Sequence, residues 1–289
     1  MIIYEYTNKM YIARQDLRQI RRIIVADYRE TVDYILGIPL FAQKIGKENL
    51  SSLLCRLGNP EKSIPAVHVA GTNGKGSTCR ALAQMLTGMG YRVGLFTSPH
   101  LVSINERIQI DGENISDADF VWAFETVKEK FTQHPSFFEV MFAMAAVYFR
   151  EKKCDFVVYE TGMGGRLDAT NVLMPELSII TSVGMDHMEY LGDTIEKIAA
   201  EKAGIIKPGI PIIYFKRDEA VAKVIEDTAR GQKSPVIPVE KQDYIINHLG
   251  DKTIDFSLHS RYYSYCNLVI QKTSLYQLEN ISLAVMAFY

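Results

Sequence analysis

The chain has 289 residues, 47% of them hydrophobic and 23% charged, enough for one large α/β domain or two small ones. The formal net charge of -2 supplies no basic field for nucleic acid and no acidic tail, so if the protein binds phosphates it must do so with local devices. The four cysteines, Cys55, Cys79, Cys154 and Cys266, include no C-x-x-C pair and follow no signal peptide, which points to a reduced, cytoplasmic setting.

Residues 1–30 predict an N-terminal helical extension. Leu17, Ile20, Ile24 and Tyr28 share one stripe, with Arg14, Arg18, Arg21 and Arg22 around it. Such a helix either packs on the domain with a solvated face or binds a partner. Short helices are expected at Thr31–Leu36 and Leu50–Leu57, with Gly58 suited to cap the second. From Pro65 onward, short apolar runs alternate with helical periods. Ala66–Ala70, Arg92–Phe96, Asp155–Tyr159, Leu177–Ser182, Ile210–Phe215 and Val236–Val239 read as strands. Helices are expected after Lys75, across Asp117–Phe131 and across Ser136–Arg150. This alternation predicts an α/β, doubly wound, mostly parallel sheet. Val140–Phe149, the longest apolar run, is too short to cross a membrane and reads as a buried helix. Tyr244–Leu275 is strand-like with weak periodicity.

The strand Ala66–Ala70 runs into Gly71, Thr72, Asn73, Gly74, Lys75, Gly76, Ser77 and Thr78, and a helix follows. Glycines let the backbone wrap a phosphate, and the helix N-terminus aims free N–H groups at the anion. Lys75 would reach the terminal phosphates. Val69 occupies the first-glycine position of the strict P-loop pattern, and Gly76 stands where Ser or Thr follows the lysine. The alternative is a glycine-rich turn that binds no nucleotide.

This variant loop resembles that of Mur ligases, and in its GTNGKGS form the branch of folylpolyglutamate and dihydrofolate synthases. The resemblance extends over roughly residues 31–210. It is carried by Phe96–Leu101, Asn105–Ile108, the run Glu160–Asn171, Gly184–His187 and Glu201–Ile205. It implies a Mur ligase central-domain fold over residues 31–289, with ATP and Mg²⁺ as cofactors. It implies folate or dihydropteroate and L-glutamate as substrates, joined by ATP-dependent amide formation, in a monomer without nucleic-acid or membrane partners. Family members carry a second, Rossmann-like C-terminal domain with the glutamate site, for which no counterpart precedes Tyr289. The rival reading is therefore a non-catalytic module that binds ATP and Mg²⁺.

In an open parallel sheet, ligands bind beyond the carboxyl ends of the strands. Four predicted strands end there in the phosphate loop, Ser98, Glu160, and the Asp186–His187 segment. Read alone, Ser98 is a turn residue and His187 a hydrogen-bonded loop histidine; Glu160, after an apolar strand, needs a partner. The resemblance implies that Ser98, Glu160, His187 and Lys202, the last as a carbamate, hold magnesium, with Lys75, Glu160, His187 and Lys202 catalytic. It also places Asn280 near the nucleotide, within Tyr276–Asn280. Ser136, Phe137, Phe138 and Glu139 read as a capping box, and the resemblance adds contact with a pterin; the two are compatible. Leu167 is a further candidate substrate contact. Arg166 either counters an anionic substrate or pairs with Asp168. Lys202 falls on the apolar stripe of a helix expected from Asp193, as N-cap, to Ile205. Burial there would lower its pKa, and its head either snorkels to a partner or takes up carbon dioxide.

Overall fold

Strands buried on both faces read as largely apolar runs, and the central strand follows this with His68 as its one polar member. In the computed structural model, which describes residues 27–39, 48–133, 135–271 and 274–288, all five residues of β1 (Ala66–Ala70) are buried. It lies between β5 (Phe156–Glu160) and β6 (Leu177–Ile180), parallel to both. Outward on one side come β2 (Val93–Phe96), then the antiparallel edge strands β3 (Ile108–Ile110) and β4 (Glu113–Asn114). On the other side β7 (Ile212–Lys216) and β8 (Val236–Glu240) continue in parallel. The chain leaves β1 toward β2 and later crosses back to β6, so β1 flanks the topological switch where ligands bind.

Side chains alternate across the sheet. Ala66, Phe96, Val157 and Tyr159 join one core with the helix over residues 27–36 (α1), α2 (Glu48–Arg56), α4 (Asp117–Lys128) and α5 (Phe137–Glu151). Val67, Leu95 and Val158 face the other way, toward α3 (Lys75–Gly88) and α9 (Gln277–Ala287). Gly94 makes room for the close approach of α5, since a Cβ there would sit 2.7 Å from the Phe149 ring. A third cluster unites Ile180, Ile212 and Tyr214 with α7 (Ile195–Ala203) and α8 (Glu219–Gln232).

The segment from Tyr244 folds as a separate antiparallel sheet of β9 (Tyr244–Leu249), β10 (Thr253–His259) and β11 (Ser264–Gln271). Ile254, Phe256 and Leu258 of β10 are buried in the cluster around α3 and α9, while β9 and β11 stay largely exposed. Only β10 carries a strongly buried set of side chains, so most of this stretch lacks the alternation of a half-buried strand.

Most of the expected basic extension lies outside the described residues. Tyr28 is described, on the same helix as Thr31; it packs edge-on against Phe120 at 5.7 Å and donates to Asn105 Oδ1 at 2.6 Å. Three expected boundaries are corrected. Glu160 is the last residue of β5 and pairs in register with Val69, instead of following the strand. β6 ends at Ile180, leaving a longer loop to Asp186. The N-cap of α7 is Thr194, whose hydroxyl accepts from Lys197 N at 3.3 Å. Asp193 instead accepts from Lys197 Nζ at 2.7 Å, and Glu196 makes no bond back.

Candidate active site

The phosphate loop is pinned by the end of the neighbouring strand. Thr72 N donates to Ser182 O at 2.7 Å, and the Thr181 hydroxyl donates to Asn73 O at 2.8 Å. Thr72 Oγ1 bridges to Gly184, accepting from its N and donating to its O. Two glycines are sterically required. A Cβ on Gly71 would collide with Thr181 Oγ1, and one on Gly74, at φ 87°, with Asn280 Oδ1. Gly74 thus brings Asn280 of α9 against the loop, and Asn280 O accepts from the Thr78 hydroxyl at 3.3 Å. Ser77 lies in the first turn of α3. Lys75 Nζ lies over the loop, 3.1 Å from Gly71 O and 4.0 Å from Glu160 Oε1.

Glu160 is buried between the ends of β1 and β2. Ser98 N donates to its Oε2 at 3.0 Å, and Ser98 precedes a cis Pro99. Burial raises the carboxyl to about 7, against the lowering effects of the Ser98 amide, Lys75, Arg80 and Arg107. Gly76 lies directly below, where a Cβ would come within 3.5 Å of Oε2.

The glycine run after Glu160 is wedged between α5 and α7. A Cβ on Gly162 would strike the Phe138 ring at 2.8 Å, and one on Gly165 would meet the carbonyls of Glu201 and Lys202 at 2.8 and 2.9 Å. The capping box is present: Ser136 Oγ receives Glu139 N, and Glu139 Oε2 receives Ser136 N at 2.7 Å. Phe137 is buried, and Phe138 is half-buried beside Phe96 at 5.5 Å. Lys202 is 1% exposed. Burial first, then the charge of Lys75, pushes its amine down to about 8, with Asp186 opposing.

Three candidates stand apart. Arg166 pairs with Glu201 at 2.7 Å, not with Asp168, whose carboxylate instead accepts from Met163 N and Thr170 N. Leu167 is exposed. His187 is exposed at the start of α6 (Met188–Leu191), 3.7 Å from Asp186 and with no contact to Glu160. Sequence reasoning marks neither Arg107, Thr181 nor Ser182 as a site residue, and takes Asp168 only as an alternative partner of Arg166. Arg107 and Asp168 sit inside the recognised runs, but Thr181 and Ser182 carry no motif signal at all.

Residues 69–287 match the model of the Mur ligase middle domain. The chain belongs to that family. Among Mur ligase relatives, it is 41% identical over 272 residues to the dihydrofolate synthase/folylpolyglutamate synthase of Bacillus subtilis, which covers 90% of this chain. It is 44% identical over 195 residues, 65% of the chain, to the folylpolyglutamate synthase of Lacticaseibacillus casei. The chain spans 63% of the first relative's length and 46% of the second's. A solved FPGS–AMPPCP–folate complex superimposes with a TM-score of 0.85 at 35% identity, over 90% of this chain and 66% of that one. The folylpolyglutamate synthase of Thermotoga maritima gives 0.82 at 38%, over 90% and 61%.

Proposed function

We propose that this protein is the ATP-binding part of an ATP-dependent amide ligase that joins L-glutamate to a folate or to dihydropteroate. The observation that carries the reading is the union of the pinned phosphate loop, Lys75 and the buried Glu160 at one sheet edge. The relatives named folylpolyglutamate and dihydrofolate synthase, and the FPGS complex with AMPPCP and folate, support it.

In this reading the loop amides and Lys75 hold the ATP phosphates and offset charge on the transferring phosphoryl group. The substrate carboxylate attacks the γ-phosphorus, ADP leaves with the electron pair of the broken P–O bond, and glutamate's amine displaces phosphate from the acyl phosphate. The donor set fits Mg²⁺. Glu160 presents a buried carboxylate beside the phosphate loop, held by Ser98 N at 3.0 Å and 4.0 Å from Lys75 Nζ. Such a place suits a hard cation that takes protein oxygens together with phosphate oxygens. Bound Mg²⁺ would neutralise charge on the transferring phosphate; Ser98 and Glu160 would hold it, with His187 and a carbamate of Lys202 as further ligands. Lys202 is suited to that modification because part of its amine is neutral near pH 8. Ser136–Glu139 and Leu167 would line the pterin side, and Asn280 the nucleotide. Residues 31–289 would form the ATP-binding domain, in a monomeric cytoplasmic enzyme.

A second reading is a module that binds ATP–Mg²⁺ without ligation. Calorimetric titration with ATP–Mg²⁺, then incubation with L-glutamate and dihydropteroate or a reduced folate followed by mass spectrometry, separates them. Product over many turnovers establishes the ligase, ATP binding without product supports the module, and absence of ATP binding refutes both. Where ligation is seen, Lys202→Ala is expected to abolish it with the fold intact, and acetate to restore part. Near-normal turnover of that variant without carbon dioxide would reduce Lys202 to a structural role.

A further inference from the structure

Arg107 is a largely buried cation that pairs with no carboxylate among the described residues. It is 8% exposed, at the end of a 3-10 turn (Ile104–Arg107) that leads into β3. Its backbone is fixed, since Arg107 O accepts from Thr97 N at 3.0 Å. Its Nε donates to His100 Nδ1 at 2.9 Å, and its guanidinium carbon lies 5.1 Å from the centre of the Phe137 ring. These two contacts orient the side chain and leave both Nη groups without a hydrogen-bond partner among the described residues. No carboxylate of the described residues forms an ion pair with it, although the Glu160 charge acts on it. The Nη groups keep access to solvent while the rest of the side chain is packed away, so an anion can reach them. The planar fork of free Nη donors matches a carboxylate.

Its place in the sheet says which anion. In the order β3-β2-β5-β1, Glu160 ends β5, Lys75 follows β1 and Arg107 precedes β3. Two cations therefore flank one buried carboxylate from opposite sides. The Lys75 side has the loop amides and serves phosphate. The Arg107 side has the Phe137 ring and serves something aromatic at its carboxyl end. A reaction that brings a carboxylate against a triphosphate must overcome repulsion between two anions, and separate cations on the two sides achieve this.

We propose that Arg107 is the residue that receives the reacting carboxylate of the aryl acid substrate, held in place by His100 and Phe137. The inference rests on the ligase reading above. With the carboxylate on the Nη fork, one of its oxygens forms the bond to the γ-phosphorus as the bond to the ADP oxygen breaks, and no proton moves. Arg107 binds and aligns the acid, and ATP is held elsewhere.

The test is a two-by-two cycle on the 289-residue chain, with ATP–Mg²⁺ present. Binding of dihydropteroate, which has one carboxylate, and of its carboxamide is measured for the wild type and for Arg107→Gln. The wild type is expected to prefer the acid by roughly 30-fold or more, the loss typical of breaking a desolvated charge pair. Arg107→Gln is expected to bind acid and amide alike, and Arg107→Lys to recover only part of the preference. A merely structural arginine would weaken both ligands equally and keep the acid preference, which would overturn the proposal. If the wild type binds ATP–Mg²⁺ but neither pterin, the ligase reading itself falls and this assignment with it. If the wild type binds both pterins equally, only the role of Arg107 is refuted.

Discussion

His68 offers a sharp test of the buried network beneath the site. It lies in the middle of β1, wholly buried, with Nε2 2.8 Å from Thr170 Oγ1. That hydroxyl is also 2.5 Å from Asp168 Oδ1, and Asp168 in turn holds Met163 N at 2.9 Å, in the loop after Glu160. A carboxylate only accepts, so Thr170 donates to Asp168 and accepts from a neutral His68 protonated on Nε2. Burial, helped by the charge of Lys207, pushes the imidazole down from 6.5 to about 3. With the folded value below the unfolded one, the unfolded chain takes up the proton first as pH falls through about 6.5. Stability is then lost progressively down to about pH 3, where both states are protonated. At pH 4 this costs the fold ~3 kcal/mol relative to pH 7, at about 1.4 kcal/mol per pH unit. Asp168 opposes it, because burial raises its carboxyl and the folded state takes up that proton first. The comparison must therefore be made between two proteins that share Asp168. His68→Gln keeps a nitrogen donor near Nε2 and cannot ionise. Urea unfolding followed by circular dichroism at pH 7 and pH 4 is expected to show the wild type losing ~3 kcal/mol more than the variant. Parallel losses in the two proteins would refute the buried neutral histidine.

Two further outcomes follow from the geometry. Lys75→Ala is expected to weaken ATP binding strongly, whereas Ser136→Ala leaves it intact and costs ~1 kcal/mol as a lost cap; equal ATP affinity for wild type and Lys75→Ala, by calorimetric titration, would remove the phosphate assignment. Arg166→Ala removes only the exposed pair with Glu201, so thermal or urea melts are expected to show under ~1 kcal/mol of change and titration an unaltered ATP affinity, and a large loss of ATP binding would give Arg166 a ligand role.

Local patterns in the chain already specified the core of this design. Apolar runs and helical periods place six of the eight strands of the main sheet. Gly71–Gly76 announce a phosphate loop because a wrapped backbone needs glycines, and a carboxylate at the end of an apolar strand marks Glu160 as a group needing a partner. Ser136 and Glu139 disclose their capping box because it closes within four residues. Lys202 on an apolar stripe signals its own burial. Contacts made across the fold could not be read this way. Arg166 chose Glu201 over Asp168 because α7 passes beside the glycine run, and Thr181 and Ser182 pin the phosphate loop because parallel pairing sets β6 next to β1. The requirement for glycine at position 74 comes from Asn280, more than two hundred residues away. Arg107 is an ordinary arginine in the sequence; packing buries most of it and sets no carboxylate of the described residues in an ion pair with it. Periodicity is a property of neighbours in the chain, whereas partner choice depends on which surfaces the sheet order brings within a few ångströms of each other.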